Sequence, residues 1–215
     1  TTYIPNGVDY NRFSNFKKYE VSRDLNLLHP VNIGFVGGIR SILDYDLIEY
    51  LIKNIRANFI FVGPIFDNKY LNLTKYDNCY FLGHKDFKLI PSYIDLFDVC
   101  IIPYLKNEFT DAIYPVKLNE YFSLGKNVIA TNINELINFN NENNIINICK
   151  SKEEFKERID YNIKSKVHNH KIKNKIINIA KNNSWELRFD EVKKKIENII
   201  INNKYSNPQN WETYS

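Results

Sequence analysis

The stretch of this chain richest in usable chemistry runs Tyr114-Pro-Val-Lys-Leu-Asn-Glu-Tyr-Phe-Ser-Leu-Gly-Lys126. Pro115 predicts the first position of a helix, because its missing N–H would be unpaired there in any case. Gly125 predicts the stop of that helix. Backbone amides in such a first turn, helped by the helix dipole, form a seat for phosphate. Lys117 lies in that turn and can add a charge to a diphosphate. Glu120 follows one turn later, where a carboxylate can accept from two neighbouring hydroxyls, as on a ribose. Spacing alone leaves a plainer reading open, with Glu120 a favourable acid near a helix start and Lys117 a solvated charge.

Little else in the chain has the makings of a catalytic group. His84 is the one histidine that falls at a predicted strand end; His29 precedes Pro30 at a strand entrance and reads as structural. His168 and His170 flank Asn169 in a lysine-rich stretch without the acid or thiol that would complete a metal set, so no metal site is expected. Neither Gly-x-Ser-x-Gly nor a Cys/His arrangement offers a nucleophile. Cys79, Cys100 and Cys149 are odd in number and sit in apolar runs, which predicts buried free thiols in a reducing compartment.

These residues need a scaffold, and the pattern around them supplies one. Short apolar runs alternate with segments of helical period, the signature of a parallel sheet with crossover helices. Strands are predicted over residues 31–36, 58–62, 79–82, 99–102, 127–130 and 145–148, and four of them end at Gly37-Gly38, Gly63-Pro64, Gly83 and Pro103. Between the first two, Leu47, Ile48, Leu51, Ile52 and Ile55 mark a helical face. Phe87 to Phe97 reads as mostly helix, bent or begun at Pro91. Residues 104–114 read as a loop. Ser151-x-x-Glu154 is a capping box, Ser184-Trp185 opens a last long helix, and the chain beyond about Lys204 is polar. The fold expected is a doubly wound α/β sheet of about six parallel strands with C-terminal helices, which binds ligands at the strand carboxyl ends. Its domain would span residues 31–204, with residues 1–30 as a linker and lead-in and residues 205–215 as a tail.

Composition narrows the function classes. The 215 residues suffice for one large domain, and 44% apolar residues give it a core. A net charge of +4, with the lysines dispersed, lacks the basic stripe of a nucleic-acid binder. No apolar run spans a bilayer and no signal peptide opens the chain, so a cytoplasmic protein is expected. The absence of any Met, including at position 1, leads us to expect sequence upstream.

Several blocks in order resemble a known family. Ile4-Pro-Asn-Gly-Val-Asp9, Phe81-Leu-Gly-His84, Ile90-Pro-Ser-Tyr93, Asp98-Val-Cys-Ile-Ile-Pro103, the Pro115–Tyr121 block with Gly125–Thr131, and Ser184-Trp185 together resemble retaining, family-four-type glycosyltransferases. Their likeness covers roughly residues 4–200 and matches the C-terminal, donor-binding half of the two-domain GT-B fold, with its Rossmann-like sheet. Asp44-Tyr-Asp-Leu47 is similar to a motif of the bacterial surface-polysaccharide branch. The resemblance implies binding of a nucleoside diphosphate sugar, a UDP-sugar first and a GDP-sugar next, with no metal or other cofactor. It implies Glu120 on the donor ribose and the amides of Val116 to Leu118, behind Pro115, on the diphosphate. His84 and Lys85 would frame the base, and Gly37-Gly38 would admit the phosphates. Glu120 and Lys117 would be the catalytic residues. It also implies an N-terminal acceptor domain outside this chain, and association with the inner membrane face through a lipid-linked acceptor.

The chain departs from that family pattern at three places. Gly38 and Leu43 stand where the family often has an arginine and a lysine, with Arg40 the nearest substitute, and Ala112 stands where many members carry a second glutamate. Asp111 and Glu108 lie close by. Two other classes stay in view: a non-catalytic relative serving as a scaffold, and a dinucleotide-binding dehydrogenase domain. Gly34-x-x-Gly37-Gly38 is not the Gly-x-Gly-x-x-Gly fingerprint, and the second strand ends in Gly63-Pro64 rather than an acid, which counts against the dehydrogenase.

Overall fold

A computed structural model describes residues 4–21, 25, 27–165 and 170–206. The elements in chain order are α1 Tyr10–Ser14, β1 Asn32–Val36, α2 Tyr45–Asn54, β2 Asn58–Val62, β3 Cys79–Phe81, α3 Ile90–Leu96, β4 Val99–Ile102, α4 Glu108–Asp111, α5 Val116–Ser123, β5 Val128–Thr131, α6 Asn134–Asn143, β6 Ile146–Cys149, α7 Lys152–Ser165, α8 His170–Asn182 and α9 Trp185–Ser206. The sheet has six strands in the order β3-β2-β1-β4-β5-β6, every pair parallel. This is the doubly wound α/β fold expected. Strands β1, β2, β4 and β5 are buried at every position, as strands covered by helices on both faces must be. Two buried asparagines begin β1 and β2 and satisfy each other: Asn58 Nδ2 donates to Asn32 Oδ1 at 2.8 Å, and Asn32 N–H donates to Asp98 at 2.8 Å.

The winding reverses between β1 and β4. Strand β1 pairs with β2 over all five residues but with β4 only at Ile33 and Gly34. At the end of β1, Gly37 N–H turns to the Val62 carbonyl of β2 at 2.8 Å. Val36 N–H, on the opposite edge, finds no strand carbonyl and donates instead to the hydroxyl of Tyr121 at 2.8 Å. Tyr121 belongs to α5, so α5 seats itself over the gap where the two strands part.

A second buried polar group fixes α5 on its far side. Asn119, fully buried, donates to the Asn6 carbonyl at 3.1 Å and accepts from Tyr114 Oη at 3.1 Å and Asn183 Nδ2 at 3.2 Å. Asn183 in turn takes the Val8 N–H at 3.0 Å, and Trp185 N–H donates to the Val8 carbonyl at 3.0 Å. Val8 and Phe13, ahead of the first strand, are thus part of the core.

Local details depart from the sequence reading. Pro115 is the residue before α5 rather than its first, because its backbone is extended (ψ 113°) and the helix starts at Val116. The stretch after β4 holds the short helix α4, closed by reciprocal bonds between Asn107 and Thr110. A 3-10 turn over Phe87–Leu89 precedes α3, which begins at Ile90. Helix α6, too polar to show a clear apolar period, fills the connection between β5 and β6. Glu154 N–H does bond Ser151 Oγ at 3.1 Å, but the Glu154 carboxylate takes the Lys150 N–H at 2.8 Å. Helix α9 continues to Ser206; residues 207–215 of the expected tail, like His168 and Asn169, lie outside the described residues.

The Tyr121 hydroxyl is thus predicted to matter to stability out of proportion to its size. Tyr121→Phe leaves the buried Val36 N–H unpaired, and chemical denaturation should show a loss of about 1–3 kcal/mol. An unchanged midpoint and slope would show that the gap between β1 and β4 closes without it.

Candidate functional site

The carboxyl ends of β1 and β2, the loop after β3 and the start of α5 enclose a cleft of about 410 Å³. Two glycines make its floor possible. Gly63 has φ +147°, and a Cβ there would lie 2.1 Å from the Gly37 carbonyl oxygen. Gly37 has φ +141°, and a Cβ there would lie 2.8 Å from Lys117 Cε. Side chains at either position would push apart the two strand ends or displace the lysine.

Helix α5 presents Val116, Lys117 and Glu120 to this cleft, spaced as one helical face, while Leu118, Tyr121 and Phe122 point into the core. No side chain caps the helix start. The Leu118 amide is already bonded to the Pro115 carbonyl at 3.0 Å, which leaves the amides of Val116 and Lys117 to meet an anion. Lys117 Nζ lies 4.8 Å from the Phe35 ring centroid and 4.9 Å from that of Tyr104, and donates to the Tyr104 hydroxyl. Glu120 makes no hydrogen bond or ion pair among the described residues. Burial raises its pKa, Lys117 opposing, although part of the side chain still opens to the cleft.

The opposite wall comes from the turn after β3. Gly83 takes φ +66° and is followed by exposed His84 and half-buried Lys85. Phe87 completes that wall, 46% exposed, with Phe13 edge-on at 5.8 Å and the Arg12 guanidinium 4.9 Å from its centroid. Sequence reasoning missed Phe87, because an aromatic residue in an irregular turn carries no periodic signal.

Six of the ten residues singled out in the sequence line the cleft: Gly37, His84, Lys85, Val116, Lys117 and Glu120. Four do not. Pro115 and Leu118 are buried structural neighbours of the helix start. A Cβ on Gly38 would face Arg40, and the Arg40 guanidinium is stacked 3.9 Å over Phe66, outside the cleft lining. Arg40 thus stands apart from the residues that line the cleft. Asp111 does not line the cleft either. Lys106 at 2.6 Å and the Asn134 N–H at 2.9 Å engage its carboxylate, and the lysine holds its pKa below the usual carboxylate value. Asp44 of the Asp-Tyr-Asp-Leu run caps α2 through the Leu47 N–H at 2.9 Å.

A larger cavity, about 630 Å³, lies between Pro5, Tyr114, α6 and α8. It sits beside the Asn119 cluster rather than over the strand ends, so the smaller cleft, with its helix start and its Lys117–Glu120 pair, is the better-built ligand site. Cys79, Cys100 and Cys149 are free, and burial pushes all three thiols up, Cys79 and Cys149 to about 12. Among the described residues no helix is long and apolar enough to cross a membrane.

Comparison with known proteins places this geometry. Residues 30–164 match the family Glycosyl transferases group 1. TuaH of Bacillus subtilis (strain 168), whose name places it in teichuronic acid biosynthesis as a glycosyltransferase, is 33% identical over 134 residues, covering 60% of this chain and 34% of TuaH. The crystal structure of HepE from Anabaena in complex with UDP matches with a TM-score of 0.74 at 16% identity, over 92% of this chain and 57% of HepE. Sucrose-phosphate synthase from Thermosynechococcus elongatus matches with a TM-score of 0.73 at 14% identity, over 94% of this chain and 53% of the enzyme. The shared architecture is one half of a GT-B glycosyltransferase. This chain spans about a third of the curated relative's length and about half of each solved structure's.

The raised pKa of Glu120 has a testable sign. As pH rises, the unfolded chain releases this proton first, so the folded state is progressively disfavoured from about the ordinary carboxylate range upward. Above both pKa values the whole penalty is present. Glu120→Gln should therefore raise the thermal midpoint of the ligand-free protein at neutral pH and leave it nearly unchanged at pH 4. A variant that melts lower at neutral pH would mean the carboxylate is stabilising the fold.

Proposed function

This chain belongs to the glycosyl transferases of group 1, and from that premise we propose that it is the donor-binding half of a GT-B enzyme, holding a nucleoside diphosphate sugar in the cleft at α5. The observation that carries this reading is the pair on one face of α5. Glu120 offers an unpartnered carboxylate one turn beyond an uncapped helix start that carries Lys117. In this arrangement Glu120 accepts from the two ribose hydroxyls, while Lys117 and the amides of Val116 and Lys117 meet the diphosphate. Phe87 gives the base an apolar face beside His84 and Lys85.

Transfer breaks the bond between the anomeric carbon and the diphosphate oxygen and leaves negative charge on that oxygen. Stabilising this charge and orienting the sugar are what this half contributes. The acceptor is held by a domain outside residues 1–215. A polysaccharide or lipid-linked acceptor agrees with the name of the Bacillus relative, and a lipid-linked one would place the enzyme at a membrane surface. UDP is the favoured nucleotide because HepE, similar in fold, was solved with UDP.

A scaffold without catalysis is the second reading, and Gly38, Leu43 and Ala112 at the family's charged positions are what favour it. Thermal-shift titration with UDP, GDP, ADP and NAD separates the readings. A ligand that binds only the folded state adds about 2.7 kcal/mol of stability at a hundredfold excess over its Kd. We expect a shift with UDP, its loss in Glu120→Ala, and no sugar transfer by this chain alone. A shift with NAD only would overturn the proposal, and no shift with any nucleotide would favour the scaffold.

A further inference from the structure

We propose that Tyr104 is a positioning residue for the diphosphate site, acting through Lys117; this rests on the nucleotide-sugar reading above. The groups in direct contact with the Lys117 amine are neutral, although the Glu120 carboxyl lines the same cleft. The amine donates to the Tyr104 hydroxyl and lies against the faces of Phe35 and Tyr104, and among the described residues it forms no ion pair. A lysine matched with a carboxylate would present little net charge to a ligand. One held by two rings and a hydroxyl, with the Glu120 carboxyl acting on it only through space, keeps N–H donors free for a ligand while losing its freedom to wander. Of the three N–H donors on an ammonium, Tyr104 takes one, and the others remain for oxygens in the cleft.

Tyr104 is built to hold that position. It is 3% exposed and lies just past Pro103 at the end of β4, on the far side of the gap that α5 covers. Its backbone N–H donates to Thr131 Oγ1 of β5 at 3.2 Å, and it bridges to Leu43 ahead of α2. Its ring meets Phe35 of β1 edge-on at 6.5 Å. The hydroxyl is thus referred to β1, β4 and β5 together, and the lysine stem is laid along Gly37. Since Arg40 lies outside the cleft and Leu43 is buried, the task of meeting the diphosphate falls on a lysine whose geometry Tyr104 sets.

Calorimetric titration of this chain with UDP and UMP, or GDP and GMP if guanosine is the base the wild type takes, tests the assignment. Tyr104→Phe keeps both rings and removes the hydroxyl. We expect it to weaken the diphosphate about tenfold while leaving the monophosphate affinity and the thermal midpoint unchanged. Lys117→Met should abolish the preference for diphosphate over monophosphate, and adding Tyr104→Phe to it should cost nothing more. Equal weakening of both nucleotides, no weakening of either, or an additive loss in the double variant would each overturn the role. Should Tyr104→Phe melt early, Lys117→Met still reads the diphosphate preference, and its persistence would overturn the proposal. A wild type that binds neither nucleotide would sink the nucleotide-sugar reading itself, an outcome distinct from all of these.

Discussion

The hydrogen bond from the Val36 amide to the Tyr121 hydroxyl stands where the sheet has a hole. Strands β1 and β4 must part at their carboxyl ends because the chain winds away from them in opposite directions. A parted pair leaves backbone groups that neither strand can satisfy, and a buried amide cannot go unpaired cheaply. Tyr121 answers that need, and in doing so fixes the axial position and the rotation of α5. Once α5 is rotated to put Tyr121 inward, Lys117 and Glu120 can only face the cleft, since a helix commits positions three and four apart to one side.

The same helix is gripped from behind by Asn119, and that grip joins segments distant in the chain. The side chains of Asn119 and Asn183 pair where each would be costly alone, and Asn119 also donates to the backbone carbonyl of exposed Asn6. The segment leading into the domain is therefore mechanically continuous with the helix that forms the cleft wall. A chain entering through Ile4–Asp9 meets α5 before it meets the sheet.

The cleft is assembled at some expense to the fold. The Glu120 carboxyl is held where burial raises its pKa, and two glycines hold backbone conformations that other residues rarely adopt. Lysine 126 makes the contrast plain. It too is half-buried, with its pKa lowered by burial, yet its amine donates to the carbonyls of Asp95 and Phe97 at 2.8 and 2.9 Å, at the end of α3. One titratable group is bonded into the structure; the other is left open to the cleft.

Much of this was legible from the residues. Apolar runs marked the six strands, glycines and prolines marked their ends, and the spacing of Lys117 and Glu120 put them one turn apart, because periodicity records which face of a local element is buried. The resemblance pointed to the same helix. What the sequence could not settle was every relation across the sheet: that Arg40 folds onto Phe66 and leaves the cleft, that Asp111 is taken by Lys106, that Phe87 lines the wall, and that Tyr104 and Phe35 cradle Lys117. Those relations depend on how strands far apart in the chain are ordered and how far β1 and β4 splay. Only the packed tertiary structure decides that, because no local pattern encodes which distant side chain will fill a given gap.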